Sequence, residues 1–440
     1  MRLTDTIIIA CAAAALTVSC ERKAEPVASE RMDRARLNIG TYFLQPYART
    51  EQHVKELSEC GIDFVIGMPD EMPVLDLFQK YGVGAIVNGV FPGWWGGDGD
   101  NAGTMAQINP LQEYDNGAKS FVDHPAIWGI DIGDEPSALD FPHYGRVFEK
   151  VNGMFPGVFP YLNLYPNYAS VASNDGEQTV NQLGTKTYAD HISEYCRNVP
   201  SDYICYDFYL YSIDVPRAYE NLCTVSDACT ASGRSMWIVL QVNSNRPEEW
   251  ITENELRFQA FTAMAFGAEV ITWACYTAGW WYNQVLDDKG EKTVQYERLK
   301  SVNREIHAIG ETYMKYRRTS TAFVGFGGTP WLDGVSRSAV GSCTSGHVSG
   351  LKAEDDSPLA VGCFEARDGG DSEALFIVSA DDPYDKGANE HTISFKLKDA
   401  SSNQIRLTST TGERVPMDVS DGTCTFRIES NTAVLMEVLQ

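Results

Sequence analysis

The stretch Trp128-Gly129-Ile130-Asp131-Ile132-Gly133-Asp134-Glu135-Pro136 brings three acids together where an apolar run meets a helix-starting proline. Alternation along an extended chain puts Ala126, Trp128, Ile130 and Ile132 on one face. Gly129, Asp131, Gly133 and Glu135 then share the other. A further acid, Asp207, stands in Ile204-Cys205-Tyr206-Asp207-Phe208-Tyr209. There the same rule groups Tyr203, Cys205, Asp207 and Tyr209. Two carboxyl groups flanking one bond can do acid–base work: one protonates a departing oxygen, and the other attacks or activates water. Glu135 is the expected proton donor, because a carboxyl in a tryptophan-lined cleft holds its proton near neutral pH. Asp207 is the expected partner, and Asp131 is expected to orient Glu135. Asp134 is expected to point away and cap the helix that begins at Pro136. Plainer readings exist for both acids: Glu135 as a charge favoured at a helix N-terminus, and Asp207 as a buried structural acceptor.

Elements must carry these residues to one place. From Leu37 to about Tyr316, apolar strands alternate with amphipathic helices. The expected strands are 37–43, 62–67, 84–88, 126–133, 158–164, 203–210, 236–242 and 270–276. Helical spacing appears at 51–60, 74–81, 111–122, 142–154, 218–232, 253–266 and 293–316. Eight β/α units in this length predict a closed parallel (β/α)8 (TIM) barrel, whose catalytic mouth lies at the carboxyl ends of its strands. An open doubly wound sheet would need a Gly-rich phosphate turn after the first strand, and none is present. Past Thr319, β-type runs separated by turns (321–326, 359–364, 374–378, 391–396, 404–409, 424–428 and 433–438) predict an all-β sandwich, with 374–378 as a central strand.

Alternation on the other strands turns Asn38, Tyr42, Asn163, Gln241 and Asn243 inward as well. So many buried hydrogen-bonding groups are costly unless a polar ligand uses them. Asp131, Tyr42, Asn163, Tyr209, Gln241 and Asn243 are therefore the expected substrate contacts. Trp273, Trp280 and Trp281 after the last strand, and Trp94 and Trp95 in a Gly-rich loop, suit the apolar faces of sugar rings. The loops 91–109 and 166–184 are long enough to shape a cleft.

Of 440 residues, 43% are hydrophobic and 22% charged, and the formal net charge is -25. That charge argues against nucleic acid as a partner. Arg2, the apolar run 7–18 and Leu16-Thr17-Val18-Ser19-Cys20 read as an export signal ending in a lipobox-like site, with Thr17 where Leu is usual. Cys20 is the expected lipidation site, and a plain secretory signal is the alternative. The expected layout is a lipoprotein signal peptide over 1–19, a tether over 20–35, the barrel over 36–318 and the sandwich over 319–440. The run 7–18 is too short to span a bilayer. A disulfide is compatible with Cys223 and Cys229, or with Cys343 and Cys363; no metal site or cofactor is indicated.

The region from about Leu37 to Tyr316 resembles barrel-type glycoside hydrolases. Gly133-Asp134-Glu135-Pro136 is similar to the Asp-Glu-Pro ending of the fourth strand in clan A-like bacterial members. That resemblance implies Glu135 as general acid/base. In that clan the nucleophile ends the seventh strand, where this chain has Gln241, with Glu248 and Glu249 in the following loop. Tyr206-Asp207 also resembles the sixth-strand pair of chitinase-like family 18 enzymes, although Gly133 stands where those carry Asp. The expectation is an exported, lipid-anchored hydrolase of O-glycosidic bonds in a poly- or oligosaccharide, located at a bacterial membrane. Its alternative is a non-catalytic glycan-binding surface lipoprotein on the same barrel.

Overall fold

The computed structural model describes residues 31–91, 101–115, 119–169, 182–326, 345–384, 389–398, 404–417, 419 and 422–439. Cys20, Trp94, Trp95 and Cys343 lie outside them, as do the signal segment and part of each long loop. Eight parallel strands form the barrel: β1 (Asn38–Tyr42), β2 (Phe64–Met68), β3 (Gly84–Val87), β4 (Ile127–Asp134), β5 (Phe159–Asn163), β6 (Tyr203–Asp207), β7 (Ser235–Gln241) and β8 (Ala268–Ala274). Their order is β5-β4-β3-β2-β1-β8-β7-β6. The ring closes where the Leu164 amide donates to the Cys205 carbonyl at 2.9 Å.

The helices around the barrel are α1 (Glu51–Glu59), α2 (Met72–Tyr81), α3 (Met105–Ile108), α4 (Lys119–Val122), α5 (Phe141–Met154), α6 (Tyr188–Asn198), α7 (Val215–Ser232), α8 (Glu253–Ala265) and α9 (Val294–Tyr313). The single helix expected over 111–122 is instead a 3-10 turn (Leu111–Asp115) followed by the short α4. The sequence between the two holds Asn116-Gly117, a pair of weak helix formers. Sharp starts come from caps: the Thr252 and Glu255 side chains form a capping box on α8, and Asp214 caps α7, whose end is Gly233 in the left-handed region.

Aromatic rings fill the lower interior. Phe64 occupies the space beside Gly40, and Trp128 that beside Gly84, where a Cβ would meet either ring. Strict alternation would turn Trp128 with Ile130 and Ile132 toward the helices. A register shift between β3 and β4 at this point turns it inward against Phe64, ring centroids 6.2 Å apart. Tyr203 and Trp237 stack at 4.1 Å. Beneath them, residues 31–36 close the amino-terminal end. Arg34 lies 4.6 Å from the Trp237 ring centroid, and Arg31 donates to the carbonyls of Val122, His124 and Ile127. Asn38 donates to the carbonyls of Asp33 and Arg36, so its amide holds this segment and faces no ligand.

The remaining strands are β9 (Tyr316–Val324), β10 (Val348–Ala353), β11 (Leu359–Ala366), β12 (Glu373–Ser379), β13 (Glu390–Leu397), β14 (Gln404–Ser409), β15 (Arg414–Met417), β16 (Thr423–Glu429) and β17 (Ala433–Leu439). They form a six-stranded sheet, β15-β14-β17-β12-β11-β9, and a three-stranded sheet, β10-β13-β16. The inner faces share a core that includes Val361, Ile377, Phe395 and Met436. The outer face of the larger sheet belongs to the barrel's core through Ala360, Phe364, Phe376 and Leu435. Cys223 and Cys229 are free thiols, whereas Cys363 is disulfide-bonded to a partner outside the described residues.

Candidate active site

At the carboxyl ends of the barrel strands, a cavity of about 200 Å³ is lined by Tyr42, Asp134, Glu135, Asn163, Asp207, Tyr209 and Trp280. Each lining residue sits at or just beyond a strand end, from β1, β4, β5, β6 and β8. Asp131 is buried below, within electrostatic reach of Asp134.

Asp134 was expected to face away. Between Asp131 and Gly133 the β4–β5 register slips, so Asp131 pairs with Tyr161 while Gly133 pairs with the very next residue, Leu162. One extra residue on β4 reverses the alternation. Gly133 then faces the helices, where an added Cβ would lie 2.9 Å from the Tyr144 hydroxyl. Asp134 swings inward opposite Asn163 and accepts from its Nδ2 at 3.2 Å. Glu135 follows at φ 46, a left-handed backbone unusual for a non-glycine residue, and its amide donates to the Asn163 carbonyl at 2.8 Å. That turn returns the Glu135 side chain to the same cavity as Asp134.

The Glu135 and Asp207 carboxyls share a hydrogen bond. Burial, then the charges of Asp207 and Asp134, hold Glu135 well above the usual carboxyl range, so it keeps its proton and donates to Asp207. Burial also lifts Asp207, to about 6, but hydrogen bonds from Asn163, Glu135 and Tyr168 restrain the shift. Asn163 Nδ2 donates to Asp207 at 2.8 Å, and the Tyr168 hydroxyl donates to Asp207 at 3.5 Å. Asp131 is pushed up to about 8, by burial first and the Asp134 charge second. At neutral pH this leaves Asp207 ionised beside a protonated Glu135.

A chain of hydrogen bonds runs behind the carboxyls. The Tyr42 and Tyr161 hydroxyls are 2.7 Å apart, Tyr161 meets Cys205 Sγ at 3.5 Å, and Cys205 donates to Asn163 Oδ1 at 3.4 Å. Burial pushes the Cys205 thiol up and keeps it a donor. The Asn163 amide is thereby oriented, with its carbonyl toward sulfur and its NH2 bridging Asp134 and Asp207.

Several expected contacts lie elsewhere. Gln241 is buried outside the cavity: its Oε1 accepts from the Tyr211 amide, and its Nε2 donates to Ser212 and the Asn243 carbonyl. Asn243 acts at one remove, donating at 2.6 Å to the carbonyl of Trp280 and accepting from the Cys275 amide. Trp273 faces outward and donates to Asn303 on α9 at 2.9 Å, so it cannot join a platform. Trp280 lines the cavity 5.5 Å from the Tyr42 ring, and Trp281 packs edge-on to Tyr209 at 4.8 Å without lining it. Glu248 and Glu249 are exposed, and Glu249 pairs with Arg246, so neither supplies a seventh-strand carboxylate. Among the described residues, no His/Cys/Asp/Glu group is arranged to hold a metal.

No family model and no curated protein matches the chain. Solved structures similar to it include an endoxylanase of glycoside hydrolase family 30 from Clostridium papyrosolvens, 9% identical over 94% of this chain and 98% of that one, with a TM-score of 0.40. A family 30 subfamily 8 xylanase from Clostridium acetobutylicum is 11% identical over 95% and 97%, TM-score 0.42. A family 51 arabinofuranosidase from Xanthomonas axonopodis pv. citri is 10% identical over 94% and 98%, TM-score 0.41. At such identities and scores they carry no weight for activity, which is read from the cavity alone.

Proposed function

We propose that the protein is a glycoside hydrolase in which Glu135 protonates the glycosidic oxygen and Asp207 is the second carboxyl group. One observation carries this: the Glu135 and Asp207 carboxyls meet in one cavity at the carboxyl ends of the barrel strands, where burial and the neighbouring charges raise Glu135 well above the usual carboxyl range. A carboxyl held above its usual range can deliver a proton at neutral pH, and its ionised neighbour can meet positive charge developing at the anomeric carbon. Acids in contact before a sugar enters lie nearer the close class, about 5–5.5 Å, that works with retention than the roughly 6.5–9.5 Å class that inverts, and the sugar parts them as it binds. Asp207 then attacks the anomeric carbon as the Glu135 proton passes to the leaving oxygen. Glu135, now ionised, takes a proton from the water that releases the sugar. Export and attachment through lipid on Cys20, at a bacterial membrane, complete the proposal. They are supported by the lipobox-like sequence, and globomycin-sensitive processing with labelling by radioactive palmitate tests them.

The test of catalysis is reducing-sugar release from a panel of polysaccharides and oligosaccharides. Glu135→Gln should lower the best activity by about 10²–10⁴-fold while sparing affinity, and the first product should keep the substrate's anomeric configuration. Glycan binding by the wild type with no product would instead leave a binding module.

A further inference from the structure

The cavity has three acids in its wall, Asp134, Glu135 and Asp207, with Asp131 beneath, and none of its lining residues is basic. Hydrolysis as proposed uses two of them. Asp134 remains, positioned by the β4 bulge and accepting from an Asn163 amide that Asp207 also engages. Of the described cations on the loops around it, Arg49, Arg217, Arg246 and Lys292 pair with Glu71, Asp214, Glu249 and Glu56, and Lys186 and Lys289 do not line the cavity.

We propose that Asp134 is a specificity-determining residue that makes this site accept sugar rings without negative charge, favouring an ammonium substituent over a hydroxyl and rejecting uronic, sulfated or phosphorylated rings. This rests on the hydrolase reading and deepens it. A carboxylate accepts hydrogen bonds from hydroxyl and ammonium groups, while an anionic ring would enter the cavity beside like charges with no cation among its described lining residues. The volume suits one ring in this subsite, being below that of pockets for larger ligands.

The test uses the full chain with Glu135→Gln, which mimics the protonated acid and stops turnover. Affinities are measured by calorimetry for methyl glycosides in gluco, galacto and manno configuration, each as the neutral sugar, the 2-amino-2-deoxy sugar and the hexuronate. For the configuration that binds best, the hexuronate should bind at least tenfold more weakly than the neutral sugar, and the amino sugar at least as tightly. Adding Asp134→Asn should shrink the hexuronate gap to about threefold or less. Equal or tighter hexuronate binding, an unchanged gap in the double variant, or no binding by any class overturns the assignment. The two readings fail separately. Wild-type hydrolysis of neutral and uronic glycosides at equal rates removes the selectivity and leaves the hydrolase, while the expected affinity order without hydrolysis of any glycoside removes the hydrolase and leaves the selectivity.

Discussion

Glu135 and Asp207 divide one proton between them, and the division predicts a pH profile. Asp207 must be ionised, so kcat/KM should fall on the acid side near pH 6. Glu135 must be protonated, so the profile should fall again on the alkaline side, above the usual carboxyl range. Asp207→Asn should remove the acid limb from whatever activity remains; an unchanged acid limb would assign it to another group. Cys205 is expected to act through Asn163. Cys205→Ala deletes the donor that fixes the amide, so it should lower kcat severalfold and shift the acid limb, with Cys205→Ser restoring both. An unaltered pH profile in Cys205→Ala would make the thiol mere packing. At this scale much was legible before any coordinates: alternation alone singled out Tyr42, Asn163, Asp207 and Tyr209 as facing the mouth. Asp134 was not legible, because a single extra residue in β4 reverses the parity on which the reading depends. Gln241 shows the limit of polarity as a clue, since a core amide satisfied by backbone partners looks the same in sequence as a ligand-binding one.

The β4 bulge is the element that assembles three of the acids, and Gly133 makes it possible. Gly133→Ala would place a methyl 2.9 Å from the Tyr144 hydroxyl, in a contact that α5 cannot relieve without moving. A loss of about 1–3 kcal/mol in unfolding free energy is expected, together with a fall in kcat larger than the change in KM. A variant of full stability and full kcat would mean the bulge does not position the acids. In the sandwich, β13 carries His391 between Asp355 at 2.8 Å and Asp381 at 2.6 Å. Burial lowers its basicity, but the hydrogen bonds it donates to these two carboxylates outweigh that and raise it. Strands and most helices were readable from period, though α6 was not among the expected helices; the facing of Trp128 depends on the β3–β4 register shift and the space beside Gly84, while Trp273 pairs within β8 with Thr41 and Leu240 and faces as they do.

Across the molecule, the barrel and the sandwich share one apolar seam. Tyr313 at the end of α9 packs on Phe364 and Phe376, and the Thr321 hydroxyl donates to the Ala265 carbonyl at 3.0 Å. Gly362 approaches so closely that an added Cβ would meet that same carbonyl at 2.3 Å. Such a seam predicts one cooperative unfolding transition in calorimetry, and two well-separated transitions would contradict it. Stability should also carry the mark of the buried acid Asp131. Its folded value, about 8, lies above the unfolded one of ~3.9, so its contribution is whole below the latter and lost as pH rises through the former. Asp131→Asn should therefore gain in Tm on the wild type between about pH 4 and pH 9, and a constant difference across that range would place the carboxyl in a less demanding environment.

The central claim is that Glu135 gives its proton to the departing oxygen, and leaving-group dependence tests it most directly. Rates for wild type and Glu135→Gln would be compared on a natural oligosaccharide and on the matching 2,4-dinitrophenyl glycoside, whose leaving group needs no proton. The account predicts a loss of about 10²–10⁴-fold on the former and a far smaller loss on the latter. Equal losses on both, or none on either, would contradict it.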